Sequence, residues 1–162
     1  VCSSDLDRAA APDWAGSTRP LADAHVRLHP GRMEDPDAEV FFDFANRDLH
    51  IHAVIPSLTQ EEVLFSTCPE LLPAILLCER MGDDEVLVLD GARRFCDYRG
   101  YLRSFRFTGL RDELRALEVL AADAVFRDHF SPAAIRRDLD KAWLGFTACR
   151  GQRISKIGRA HV

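Results

Sequence analysis

Apolar and polar residues along this chain fall in short runs whose spacing switches between alternation and helical periodicity, the pattern of strands interleaved with helices. The clearest run is Glu39–Phe44 (Glu-Val-Phe-Phe-Asp-Phe), predicted as a strand that gives way to a loop at Ala45-Asn46. A shorter strand is expected over Ala24–Leu28, closed by His29-Pro30-Gly31. Thr59 reads as the N-cap of a helix through Ser66, with Glu62 three residues on completing a capping box. Pro69 suits the first turn of a second helix, expected to run to Arg80. After the turn Gly82-Asp83-Asp84, the nearly all-apolar Glu85–Asp90 reads as a strand buried on both faces. Tyr101–Phe107 alternates, with Tyr101, Phe105 and Phe107 on one face, and Glu118–Val125 is a further apolar strand. Ser131-Pro132 opens a long helix with Ile135, Leu139, Ala142, Trp143 and Phe146 on one stripe and Arg136, Arg137, Asp138 and Asp140 toward solvent. Phe41, Phe42, Phe105 and Phe107 are expected in the core.

Strands alternating with helices predict an α/β sheet, whose ligands bind in loops beyond the strand ends, such as the one after Asn46. At 162 residues the chain has room for one domain with a core. A net charge of −5 offers no basic stripe to neutralise phosphates, so duplex nucleic acid is not an expected partner. No apolar run approaches the roughly 20 residues that cross a bilayer, and no membrane association is expected. The ends carry their own message. Residues 1–6 read as the translation of a sequencing-library adapter and 157–162 as its reverse complement in another frame, so the domain is expected to be incomplete at both ends. Residues 7–20, rich in Ala, Pro, Asp and Ser, read as a linker or tail, 21–150 as the partial domain, and 151–162 as a tail. Cys68, Cys78, Cys96 and Cys149 form no C-x-x-C pair and are expected as reduced, intracellular thiols.

The candidate chemistry lies where the first strand ends and the first helix begins. Glycoside hydrolysis needs one carboxyl to protonate the departing oxygen and usually a second to act on water or steady the cationic sugar centre. Asp43, Glu61 and Glu62 supply three candidates. Neighbours on a helix diverge by about 100°, so Glu61 and Glu62 would have different tasks. By spacing alone, Thr59–Glu62 is a helix cap before it is an active site. A helix N-terminus favours the ionised carboxylate, whereas nearby negative charge and shielding favour the protonated one.

Several ordered motifs change that balance. Phe42-Asp43-Phe44-Ala45-Asn46, then Gln60-Glu61-Glu62-Val63-Leu64-Phe65, then Cys68-Pro69-Glu70-Leu71, resemble the D-F-A-N, Q-E-E and C/N-P-E-L segments of poly(ADP-ribose) glycohydrolases. Tyr98-Arg99-Gly100-Tyr101 is similar to that family's Y-x-G-Y, Asp123-Ala124 to its I-D-A, and Ile135–Phe146 to its R-R-E-L-N-K-A-Y-x-G-F helix. The resemblance covers Gly31 to Phe146. It implies a macrodomain-like mixed sheet with flanking helices, and Glu62 as general acid/base at the ribose–ribose bond, assisted by Glu61 and Asp43. It further implies that Asn46 and Gln60 contact the scissile ribose, that Tyr101 covers the bound ADP-ribose, and that Glu34 meets the adenine. The implied partners are poly(ADP-ribose) or ADP-ribosylated proteins, in the nucleus and/or cytoplasm, with no cofactor or catalytic metal.

Where the family carries a Gly-Gly-Gly run, this chain has His50, Ile51 and His52, residues whose Cβ atoms cannot reproduce an all-glycine approach to a ligand. The family's G-C-G-A-F-G-G diphosphate loop, expected beyond Phe146, is absent from the sequence. Two alternatives follow: a catalytically impaired module that binds ADP-ribose, and a metal-dependent hydrolase using His50 and His52.

Overall fold

The computed structural model describes residues 11–20, 28, 38, 40–49 and 59–149. It is a mixed α/β structure. Strands β1 (Val40–Asp43), β2 (Leu87–Arg93) and β5 (Ala116–Ala121) form one sheet, and β3 (Cys96–Arg99) and β4 (Arg106–Leu110) a second. Helix α1 spans Gln60–Thr67, α2 Leu72–Leu77 and α3 Pro132–Ala148.

The main sheet runs β1-β5-β2, with β1 parallel and β2 antiparallel to β5. Alternation along β1 divides its side chains between two cores. Phe41 joins Leu64, Phe65, Leu87, Leu89 and Val119 on the α1 side. Val40 and Phe42 join Leu120, Ala122 and Cys149 on the α3 side, with Phe44 and Phe146 packed against them. Asp43, two residues beyond Phe41, shares its parity and so falls on the α1 side at the strand's carboxyl end. That single parity places the carboxyl beside the start of α1.

Most expected elements appear with shifted bounds. The second helix is a 3₁₀ turn, Pro69–Leu71, followed by α2, which stops at Leu77 because Cys78 turns extended (φ −87°, ψ 132°). The strand expected at Glu85–Asp90 continues to Arg93 through an irregularity at Gly91, whose φ of +83° suits a residue without Cβ. Tyr101–Phe107 is not one strand: Leu102–Ser104 forms a 3₁₀ turn and pairing starts at Arg106. Its partner β3 is short and polar and carries no strand signal in the sequence. Phe105 is half-buried and stacks on Tyr98, with ring centroids 5.2 Å apart, and Phe107 is 60% exposed, so neither sits in the core as expected. Ala24–Leu28 lies outside the described residues, Leu28 apart.

Helix α3 is where expected but rotated. Its buried residues are Ala134, Lys141, Leu144 and Gly145, whereas Ile135, Leu139 and Trp143 are exposed. Arg137, expected in solvent, points inward. Two features set this face. Gly145 allows close approach to the sheet: a Cβ there would lie 2.6 Å from Leu120 Cδ2. Lys141 is accepted into the interior because it pairs with Asp123. Trp14, from the stretch read as a linker or tail, stands edge-on to Trp143 and donates from Nε1 to Asp140 Oδ1 at 2.7 Å.

At the end of α3, the Cys149 thiol is buried against Glu118 in the middle of β5, and burial, aided by the bond to Glu118, pushes its pKa up to about 12. Cys68 and Cys96 also carry reduced thiols, while Cys78 is disulfide-bonded, so the expectation of reduced thiols holds for three of the four.

Because Leu120 is fully buried, it has little room to yield. Gly145→Val should therefore destabilise the fold by about 2–3 kcal/mol despite valine's better helix propensity. Chemical denaturation would measure it, and a change within about 0.5 kcal/mol would show that α3 can move off β5 at little cost.

Candidate active site

Three carboxyls meet at the carboxyl end of β1. Asp43, Glu61 and Glu62 are 1%, 6% and 4% exposed. Asp43 is positioned by the sheet, where its carbonyl accepts from Ala122 N–H at 3.1 Å. Glu61 and Glu62 are positioned by the cap of α1: Thr59 takes extended backbone and its N–H donates to Glu62 Oε2 at 2.8 Å. Asn46, exposed at the rim, donates from Nδ2 to Glu61 Oε2 at 3.2 Å. The structure thus brings Asp43, Asn46, Glu61 and Glu62 together, with Gln60 half-buried on the first turn of the same helix.

The remaining candidates lie elsewhere. Tyr101 is half-buried in the β3–β4 connection, where its N–H donates to Ser104 Oγ at 2.9 Å. Glu34 and the segment His50-Ile51-His52 lie outside the described residues. Among the described residues, no group of three or more His, Cys, Asp or Glu side chains forms a metal site, and no helix is long and apolar enough to cross a membrane.

The electrostatics follow from crowding acids in a shielded place. Both carboxyl oxygens of Asp43 and Oε1 of Glu61 are buried without a hydrogen-bond partner among the described residues. Burial raises the Asp43 pKa from 3.8 to about 7, and the charge on Glu62 adds to the push. Burial also raises Glu61, from 4.5 to about 8, reinforced by Asp43 and Glu62 and opposed by the bond from Asn46. Near neutral pH Glu61 is therefore mostly protonated and Asp43 close to its midpoint, so protonated and ionised carboxyls coexist in one cluster, the combination that acid and base steps at one centre require. Unpaired buried carboxyl oxygens are costly in a fold, and they are suited to hydroxyl donors from a sugar.

A second polar cluster, which the sequence reading did not foresee, braces the same loop from behind. Asp123, just beyond β5, binds Lys141 and, at 2.6 Å, Arg137 Nη2 of α3. Arg47, next to Asn46, donates from Nε to Asp123 Oδ2 at 3.1 Å and also pairs with Asp83. Arg137 reaches Asp83 at 3.0 Å and Asp138 at 3.0 Å. Asp123, Arg137 and Lys141 each sit inside one of the family-like motifs, but residue type alone does not say that they would pair. Glu70 of the Cys-Pro-Glu-Leu segment has a similar bracing part, accepting from Arg93 N–H at 2.8 Å and from its guanidinium.

Fold and site together define a mixed α/β domain with a shielded trio of carboxyls at a strand end. Residues 11–159 match the family described as "Poly (ADP-ribose) glycohydrolase (PARG), Macro domain fold", and the chain belongs to the poly(ADP-ribose) glycohydrolase family. It is 35% identical over 164 residues to poly(ADP-ribose) glycohydrolase 1 of Arabidopsis thaliana, covering 92% of this chain and 30% of that relative. It is 28% identical to probable poly(ADP-ribose) glycohydrolase 2 of Arabidopsis thaliana, over 84% of this chain and 28% of the relative. For poly(ADP-ribose) glycohydrolase 1 of Caenorhabditis elegans the identity is 30%, over 77% of this chain and 19% of the relative. The chain thus spans less than a third of the length of these relatives. The macrodomain-type fold expected from the motifs is the one found.

The raised acids give stability a definite pH dependence. Stability from the neutral forms is complete below the unfolded values of 3.8 and 4.5 and is lost as pH rises through about 7 for Asp43 and about 8 for Glu61. Asp43→Asn removes one titration, so the fall in unfolding free energy from acid to neutral pH should become shallower by roughly 2–4 kcal/mol. Denaturant unfolding across that range reads it. An unchanged slope would mean that Asp43 is not held neutral by burial.

Proposed function

We propose that this site hydrolyses ribose–ribose O-glycosidic bonds of poly(ADP-ribose), releasing ADP-ribose by carboxylate acid/base chemistry. Family membership supports the substrate class, and the observation that carries the mechanism is the buried trio at the β1 end, in which oxygens of Asp43 and Glu61 lack a hydrogen-bond partner among the described residues.

Before substrate arrives, burial keeps Glu61 largely and Asp43 partly protonated at neutral pH. A bound sugar excludes water and raises the proton affinity of each carboxyl it covers. A proton passes to Glu62 and from there to the departing ribose oxygen as the anomeric carbon–oxygen bond breaks. Negative charge left on the trio steadies the cationic sugar centre. Water then attacks the anomeric carbon and gives its proton to Glu62, so one bond is broken, one water is consumed and the cluster regains its starting charge. Asn46 restrains Glu61, and in this reading Gln60, on the same first turn, contacts the scissile ribose.

The capping box supplies a clean test. Glutamine at position 62 can still accept the Thr59 N–H, so Glu62→Gln retains the helix cap and removes the transferable proton. Release of ADP-ribose from polymer should fall by about 100-fold or more, while ADP-ribose binding changes by less than about threefold. Full turnover in this variant would make Glu62 a cap and nothing more. Binding of ADP-ribose without turnover in the unsubstituted full-length protein would instead favour the binding module suggested by His50-Ile51-His52 in place of glycines. Turnover lost on chelation and restored by zinc would favour the metal-dependent alternative.

A further inference from the structure

Five consecutive residues, Asp43 to Arg47, link the acid trio to the ion cluster on the opposite face of the sheet. Their tethers are unequal. Asn46 is exposed, and it meets Glu61 through its side-chain amide at 3.2 Å and through its backbone. Ala45 and Leu49 seat the loop in the core on either side, but the net gain from the side-chain bond is no more than the entropic cost of ordering one residue, so it does not by itself fix the orientation of the exposed Asn46 amide. Arg47, the next residue, is anchored three ways. Its carbonyl accepts from Met81 N–H at 2.8 Å, its Nε donates to Asp123 at 3.1 Å, and its terminal nitrogen pairs with Asp83.

We propose that Arg47 is a positioning residue whose grip on Asp123 and Asp83 keeps the Asn46 amide on the Glu61 carboxyl. The catalytic meaning of this assignment rests on the glycohydrolase reading; its geometric content does not.

Charge counting separates this role from ordinary bracing. Asp123 is already bonded to two cations of α3, Lys141 and Arg137, which suffice to clamp that helix to the end of β5. Arg47 adds a third cation to a carboxylate that does not need it for neutrality. Its second acidic partner, Asp83, is bonded to Arg137 as well. What Arg47 alone contributes is a fixed connection from this cluster to the backbone one residue from Asn46. Its side chain is 39% exposed, so shortening it opens no sealed cavity. The motif segments around Asp123 and Arg137–Lys141 thereby acquire a purpose in the site without touching substrate.

Titration of the Glu61 carboxyl, followed by carbon NMR in this chain, provides the test. Glu61 is faced by Asp43 and Glu62, which push its protonation midpoint up, and by Asn46, which holds it down. Asn46→Ala should raise that midpoint. Arg47→Ala and Arg47→Gln should each reproduce about half or more of the same rise, with the fold intact, because the Asn46 amide loses its fixed orientation although Asn46 and the Met81 bond remain. Where turnover is measurable, the alkaline limb of the rate profile should move upward in parallel. A folded Arg47 variant whose Glu61 midpoint stays put while Asn46→Ala moves it overturns the proposal, as does an Asn46→Ala variant with no shift. Unfolding of both Arg47 variants would also overturn it, by making Arg47 a structural staple. The titration needs no glycohydrolase activity, so the positioning role of Arg47 stands or falls separately from that function.

Discussion

Everything in this structure is arranged around an acid that has nowhere to put its charge. Asp43 ends a strand buried along its whole length, with no hydrogen-bond partner for either carboxyl oxygen among the described residues and with Glu62 close enough to repel it. Burial alone would make this a defect. Set beside Glu61 and Glu62 it becomes part of a cluster that still holds protons at neutral pH. The parity of β1 and the position of the α1 cap together decide that these carboxyls share one site.

The capping box gives Glu62 two occupations. Its side chain accepts the backbone N–H of Thr59 and so helps to start α1, and the same carboxyl adds to the rise of the Asp43 pKa. Fold and chemistry therefore constrain the same side chain, which explains why spacing alone reads the segment as a cap. The sheet divides the remaining work. On the α1 side lie the acids and an apolar core that shields them. On the α3 side, Asp123, Arg137 and Lys141 clamp helix to strand, and Arg47 extends that clamp to the rim of the site.

Much of this was legible in the sequence where local chemistry governs. The run Val-Phe-Phe-Asp, the Thr59 cap and the Ser131-Pro132 start each specify their element through near neighbours, and each is found within a residue or so of its expected place. The trio was legible because its members belong to two adjoining motifs. What escaped depends on contacts distant in sequence. The rotation of α3 is set by Gly145 meeting Leu120 and by Lys141 finding Asp123, partners 25 and 18 residues away. A buried lysine contradicts the pattern that assigns charge to solvent. Phe107 contradicts the complementary pattern, because β3 and β4 pair only with each other and leave that ring uncovered.

The thiol at the end of α3 has a practical consequence. Alkylating reagents attack thiolate, and a thiol pressed against a buried glutamate in the centre of the sheet forms almost none while the helix is docked. Modification of Cys149 would therefore proceed through moments when the last turn of α3 lifts from β5. Its labelling rate is an intrinsic clock for that local opening, readable by mass spectrometry without any engineered probe.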